Sequence, residues 1–328
     1  MKISIIGCGL SGMTAACLLK DKHNITIFET RNHIGGNCYD SNLCGTLIHN
    51  YGPHTFHTSD EQVFEFLSRF TEWTPFSLKP KGKTRLGLIS LPYSKKTISE
   101  IGFELNQNEI IDIIFKDYSE KQWGVPFDQI PSTITNRVPK TKDEEDPSWH
   151  NGDKYQCLPK FGYTKMFENM LSGINVILNC DKNEWQKYNS DLIIFTGRID
   201  EYFNYCFEKL PYRSLDFVYK TSSVKMPYFI EHSNTKIENY TRKYDHSFLS
   251  LNHSGTTIIT EEYPKLCNDN DIPYYPIPWG ESQLIYNKYR ELESSQSNVI
   301  FLGRLATYKY LDMWMAVKQV FKKLENII

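Results

Sequence analysis

The first thirty residues constrain the fold of this chain more than any other stretch. A short apolar run, Ile3-Ser-Ile-Ile, passes directly into Gly7-Cys-Gly9-Leu-Ser11-Gly12. Ala15, Ala16, Leu18 and Leu19 follow at helical spacing, and Ile25-Thr-Ile-Phe28 is a second apolar run that stops at Glu29. Strand, glycine turn, helix, strand and acidic residue make a βαβ unit of about 30 residues. Gly-x-Gly-x-x-Gly alone is a weak pattern, but in this context the glycines serve a tight turn and a close backbone approach to a pyrophosphate. The carboxylate is placed for ribose hydroxyls. An acidic residue here favours an adenosine ribose without a 2′-phosphate, which leaves NAD and FAD both open.

Arg31-Asn-His-Ile-Gly35-Gly36-Asn37 puts a second glycine pair just past Glu29, fit for a second backbone approach. This resembles the two-glycine extension of FAD proteins related to the amine-oxidase and GDI-like group. A second strand–helix junction lies near the C-terminus. Val299-Ile-Phe-Leu302 runs into Gly303, and a helix is predicted to begin near Asp312, followed by Met313. Arg304, Tyr308, Lys309 and Tyr310 are crowded into that junction. Backbone N–H groups and a positive helix dipole there suit an anion or an electron-rich ring.

At 328 residues the chain is long enough for two or three domains. A net charge of −2 argues against a generic nucleic-acid or anionic-membrane binder, so an anionic ligand is met by local cations. No apolar run reaches the roughly 18–20 residues that span a bilayer, and Met1-Lys-Ile-Ser lacks a signal-type start. The eight cysteines are scattered, without metal-ligand spacing, and are expected to be reduced thiols in a cytoplasmic protein. His54 and His57 are three apart, but no further ligands stand at useful spacing, so no metal is expected.

The interleaved elements predict an α/β protein. A Rossmann-like FAD-binding domain is assembled from 1–75, 162–212 and 295–328. A small, shortened helical insertion domain covers 95–135, with one amphipathic helix over 107–118. An antiparallel β-sheet substrate domain comprises 76–94, 136–161 and 213–294. The polar run Pro139-Lys-Thr-Lys-Asp-Glu-Glu-Asp-Pro-Ser-Trp149 has no apolar period and reads as a mobile loop over about 139–152.

With these blocks the chain resembles the UDP-galactopyranose mutase family nearly end to end. The resemblance adds Tyr51-Gly-Pro-His54-Thr-Phe-His57-Thr, Tyr118-Ser-Glu-Lys-Gln-Trp123, Arg137-Val-Pro, Tyr155-Gln-Cys-Leu-Pro, Tyr212-Arg213-Ser, Tyr240-Thr-Arg242, Pro273-Tyr-Tyr275-Pro and Gly303-Arg-Leu-Ala-Thr-Tyr-Lys-Tyr-Leu-Asp-Met313. It implies a flavin-dependent isomerase that interconverts the pyranose and furanose forms of a nucleotide diphosphate sugar for surface-polysaccharide synthesis. Reduced FAD would attack the anomeric carbon through N5 and hold the opened sugar as an iminium, with NADPH or NADH as the natural reductant. Such chemistry needs cations and tyrosyl donors around a departing diphosphate.

The resemblance therefore assigns Arg137, Arg242, His57 and Tyr310 to catalysis. It assigns Tyr118, Trp123, Tyr155, Tyr275, Lys140, Lys142 and Trp149 to the substrate. To the cofactor it assigns Gly7, Gly9, Ser11, Gly12, Glu29, Arg31, Gly35, Gly36, Asn37, His54, Arg304, Asp312 and Met313. The departures are specific. The segment between Leu91 and Ile110 is short by about two helices, and in bacterial members that region forms the dimer contact, which leaves the oligomer open. Lys140-Thr141-Lys142 stands where a second arginine is usual, Trp149 or His150 where a tyrosine is, and Arg198 where a proline is. These changes are expected on the lid and substrate side, and they point to a variant sugar or base. The rival reading is an FAD-dependent oxidoreductase of the amine-oxidase type, which has no need for paired arginines and a tyrosine cluster.

Overall fold

The computed structural model describes residues 1–135, 141–250 and 255–327. Strand Lys2–Ile6 forms the middle of a five-stranded parallel sheet. The order across it is Asn175–Ile177, Asn24–Phe28, Lys2–Ile6, Leu192–Phe195, Val299–Phe301. Ile3, Ile5, Ile27 and Ile194 are buried, because helices cover both faces. Leu10–Leu19, Tyr163–Met170 and Met313–Leu324 contribute to one core. Helix Glu281–Ser294 brings Ile285, Tyr286 and Tyr289 to the other, against Phe301 and Tyr308.

The chain builds outward from Lys2–Ile6 on one side and then returns to fill the other. The order reverses there, and a doubly wound sheet holds its ligand at such a reversal, beyond the carboxyl ends of the strands. Gly7, Glu29 and Thr196 follow directly on three of those ends, and Gly303 follows a fourth after Leu302. Among the described residues no helix is long and apolar enough to cross a membrane.

A seven-stranded sheet stands beside this one, in the order Tyr275–Pro276, Tyr212–Ser222, Thr257–Leu266, Arg242–Asp245, Ile230–Ser233, Lys81–Thr84, Gly87–Ser90. Its pairs are antiparallel apart from Ile230–Ser233 with Lys81–Thr84. Tyr155–Pro159 joins neither sheet; it pairs with Phe56–Thr58 and Trp73–Pro75.

One element differs from expectation. The single helix predicted over 107–118 is Gln107–Ile110, a wider π turn Ile111–Phe115, and helix Lys116–Trp123. One α-helical stripe cannot bury four crowded apolar side chains, and the π turn lets Ile110, Ile113, Ile114 and Phe115 all enter the local core. Helix Lys95–Ile101 precedes these turns. It starts at Ser94, whose backbone N–H donates to Thr97 Oγ1 at 3.1 Å, and ends at Gly102 with φ 83°.

The acidic run after Thr141 is tied to that helix. Backbone N–H groups of Lys95 and Lys96 donate to the carbonyls of Glu144 and Glu145 at 3.0 Å each. Lys95 also pairs with Glu145, and Lys79 and Lys96 with Asp146. The first-turn N–H groups of a helix need acceptors, and this loop supplies them. The described part of the run expected to be mobile, 141–152, makes these contacts with helix Lys95–Ile101 and with Lys79.

Candidate active site

Two cavities, of about 930 and 530 Å³, meet along a wall formed by Asn37, Tyr51, His54, Arg304, Asp312 and Met313. The first follows the carboxyl ends of the parallel strands. Gly7, Gly9, Ser11, Glu29, Arg31 and Gly36 line it, whereas Gly12 and Gly35 stand behind them. A Cβ on Gly12 would lie 2.1 Å from the Gly7 carbonyl oxygen, and one on Gly36, at φ 57°, only 3.0 Å from Gly9 Cα. The two glycine loops touch, with Gly35 N–H donating to Cys8 O at 2.9 Å. Glu29 is buried and accepts the backbone N–H groups of Cys8 (2.8 Å) and Arg31 (2.9 Å).

Arg31 lies over the Tyr51 ring at 4.7 Å and donates through Nη2 to Asn37 Oδ1 at 2.9 Å. Its Nη1 is buried with no partner. These features fit FAD: paired glycine backbones and an unsatisfied guanidinium suit a pyrophosphate, and Glu29 suits a ribose. Ser11 lies close beneath Gly303, and Asp312 caps helix Met313–Leu324, so both ends of the chain converge on the site.

The second cavity is built on one cross-strand row. His232 pairs with Arg242, and Arg242 pairs with Glu262, so all three side chains share a face of the large sheet. Arg242 Nε donates to Glu262 Oε2 at 2.5 Å and its Nη2 to Tyr275 OH at 3.3 Å. Tyr275 and Tyr310 stack with centroids 5.5 Å apart and planes within 13°. The Arg304 guanidinium lies 5.5 and 5.2 Å from those rings, held by the carbonyls of Tyr274 and Leu311.

Trp123 meets the edges of Tyr275 and Trp279, and Tyr118 stacks on His232 at 5.3 Å. Burial drives the Tyr118 phenol far above its ordinary range, so it stays a donor. Burial above all, with the charges of His49, Arg304 and Arg242 near His54 and of Arg242 near His232, pulls both down to about 3, so both imidazoles are neutral. His54 Nδ1 lies 2.8 Å from Gly52 O, which leaves Nε2 as an acceptor.

His57 lies at the cavity edge with its Nδ1 2.7 Å from Asp153 Oδ2 and its ring on that of His150, centroids 3.4 Å apart. His57, His150 and Asp153 thus meet as a group the sequence spacing did not reveal. The rings are parallel within 9°, and lone pairs that lie in parallel planes do not converge on one ion. The arrangement is a hydrogen-bonded clasp.

Three expected site residues lie elsewhere. Tyr155 stacks flat on Phe64 at 3.7 Å, outside both cavities, because it belongs to the three-stranded sheet. Lys142 is exposed and paired with Glu104. Arg198 is not on the substrate side: it lines the first cavity and is held by Asp200 at 2.7 and 3.1 Å. Arg137 and Lys140 lie outside the described residues. Trp149 does line the second cavity, as do Tyr274, from the Pro273–Pro276 block, and His232, which carried no usable sequence signal.

The pattern of the UDP-galactopyranose mutase family matches residues 113–310, more than half of the chain. The chain belongs to that family. A Rossmann-like NAD(P)-binding pattern matches residues 5–70. Among UDP-galactopyranose mutase relatives, dTDP-fucopyranose mutase of Escherichia coli is 30% identical over 367 positions, covering 98% of this chain and 97% of the relative. UDP-galactopyranose mutase of Mycoplasma genitalium is 34% identical over 383 positions, covering 99% and 94%. Both alignments exceed the length of this chain, so the relatives carry insertions that it lacks. The crystal structure of reduced UDP-galactopyranose mutase superposes with a TM-score of 0.75 at 13% identity, covering 99% of this chain and 93% of the other. A putative protoporphyrinogen oxidase from Exiguobacterium reaches 0.67 at 11% identity, covering 99% and 98%, so the fold alone does not choose the reaction.

Proposed function

We propose that this chain interconverts the pyranose and furanose forms of a nucleotide diphosphate sugar, with FAD in the first cavity and the sugar nucleotide in the second. The shared wall carries the proposal: Arg304, Asp312 and His54 line both cavities, so a flavin ring and a sugar would meet there. Bound reduced FAD supplies a nucleophile for the anomeric carbon. NADPH or NADH would supply the electrons.

The chain's own residues hold the leaving diphosphate. Arg242, locked by Glu262, and the phenols of Tyr275 and Tyr310 present donors to phosphate oxygens, with Arg304 adding charge behind them. Tyr118 and Trp123 offer ring faces and edges to the nucleoside and sugar. His57, clasped by Asp153, closes the cavity edge. Arg137 would complete the cationic pair. The segments 1–75, 162–212 and 295–328 would act as the flavin part, with the large sheet as the substrate part. A net oxidation has no use for so many fixed phosphate donors, which disfavours the oxidoreductase reading.

The relatives are named for UDP-galactopyranose and dTDP-fucopyranose, so sugar and base both vary within the family. The exchange at Trp149, which lines the second cavity, favours a substrate other than ordinary UDP-galactose. Dithionite-reduced protein incubated with UDP- and dTDP-hexopyranoses, with products read by NMR, tests both parts. A furanose product supports the mutase, and an oxidised sugar supports the oxidoreductase. Clear preference for UDP-galactose would overturn the variant substrate. Arg242→Ala should abolish turnover while yellow protein is still recovered.

A further inference from the structure

Helix Lys116–Trp123 and the segment from His232 to Arg242 both line the second cavity. Tyr118 and Trp123 stand on the helix, and His232 and Arg242 close the two ends of the segment. Lys121 joins the two. Its Nζ lies 2.9 Å from Ser233 Oγ and 2.8, 3.0 and 2.9 Å from the carbonyl oxygens of Thr235, Glu238 and Tyr240. All four acceptors lie between His232 and Arg242. An ammonium has three N–H groups, so this oxygen cage uses every donor.

The cage does not serve charge neutralisation. Glu238 is already paired with Lys83, and Asp117 and Glu120 with Lys236. The last turn of the same helix is fixed from a third element: Arg213 donates to the carbonyls of Gln122 at 2.8 Å and Lys121 at 3.1 Å. Gly124, at φ 71°, leaves room for that guanidinium, since a Cβ there would lie 2.7 Å from Arg213 Nη1. Two cations therefore hold one helix end. Lys236 also joins the helix to the segment between His232 and Arg242, through exposed pairs with Asp117 and Glu120, but such surface pairs hold little, and the half-buried Lys121 cage is the stronger tie.

We propose that Lys121 is a positioning residue for substrate binding: its ammonium locks the helix bearing Tyr118 and Trp123 to the segment bearing His232 and Arg242, and so sets the gap across the second cavity. The inference rests on the proposed function for the occupant of that cavity. Misplacement of binding groups by about 1 Å costs on the order of 100-fold in rate, so a tie of this kind has functional weight.

The test uses full-length, flavin-loaded Lys121→Ala, with binding of UDP and dTDP measured by calorimetry alongside flavin content. Affinity should fall at least about tenfold, the equivalent of one charge-assisted hydrogen bond, with the flavin spectrum unchanged. In turnover the loss should appear in KM more than in kcat. Propylammonium, which restores the missing atoms, should recover binding, whereas tetramethylammonium, which has no N–H, should not. Lys121→Arg guards against a variant that fails to fold: it should stay folded and flavin-bound yet bind more weakly, because a planar fork does not fit a four-oxygen cage. Parent-like affinity in Lys121→Ala and Lys121→Arg, or a loss that tracks only with lost flavin and is not rescued, overturns the inference. A parent protein that binds neither diphosphate overturns the functional proposal as well.

Discussion

Arg242 and Glu262 are direct partners across two antiparallel strands, joined Nε to Oε2 at 2.5 Å, with the carboxylate fully buried and the guanidinium one-fifth exposed toward the cavity. The carboxylate engages only Nε, so the two terminal nitrogens remain for Tyr275 and for a ligand. Glu262→Gln keeps the shape and removes the charge. Affinity for UDP should fall about 10- to 100-fold, because a charge-assisted bond is replaced by a neutral one and the arginine loses its fixed pose. Paired with Arg242→Lys in a double-mutant cycle, the coupling should be about 1–3 kcal/mol. Independent, additive effects on the measured Kd would show that Glu262 does not set the arginine.

The clasp of His57, His150 and Asp153 predicts indifference to metal. Chelators should leave turnover unchanged, and added Zn²⁺ should not raise Tm, since the parallel rings do not present converging lone pairs. Asp153→Ala removes the partner of His57 Nδ1, a bond of about 1 kcal/mol. KM should rise several-fold with flavin content intact. A zinc-dependent Tm shift that Asp153→Ala abolishes would instead make the group a metal site.

Gly36 and Gly9 approach so closely that one methyl group should empty the first cavity. Gly36→Ala places a Cβ 3.0 Å from Gly9 Cα at a positive φ, which strains the backbone by about 1 kcal/mol or more and parts the two glycine loops. The protein should purify largely colourless. The ratio of flavin absorbance to protein absorbance checks this, and a full complement of flavin would show that the loops have slack.

Much of this was legible in the sequence, because local pattern and tertiary role coincide at the glycine turns. Gly7, Gly9 and Glu29 were readable from strand–turn–helix spacing, and Asp312 from the cap position it occupies. The cavity row was not readable. His232, Arg242 and Glu262 lie on three strands, and only the register brings them together. Tyr155 misled because a substrate tyrosine and a packing tyrosine look alike until strand pairing puts one of them on Phe64. The clasp was missed for a similar reason: His57 and Asp153 are 96 positions apart. The acidic run looked free because its partners, the first-turn amides of Lys95 and Lys96, belong to a helix with too short a pattern to predict.

The Lys121 cage gives a pH prediction with a separable sign. Burial pulls this ammonium down to about 8 from 10.5, against the attraction of Glu238 and Asp117 and with the repulsion of Lys83. Between those two values the unfolded chain binds the proton and the folded chain has lost it, so this group makes stability rise with pH across that window. Substrate affinity should move the other way. A neutral amine offers two N–H groups to four oxygens, so the tie between helix and segment weakens. KM should therefore climb through an inflection near pH 8 while Tm does not fall in step, and Lys121→Met should flatten the profile at an already raised KM. A KM that stays constant to about pH 9.5 in the parent protein, above the folded-state value, would mean that the cage keeps its proton or does not govern the gap.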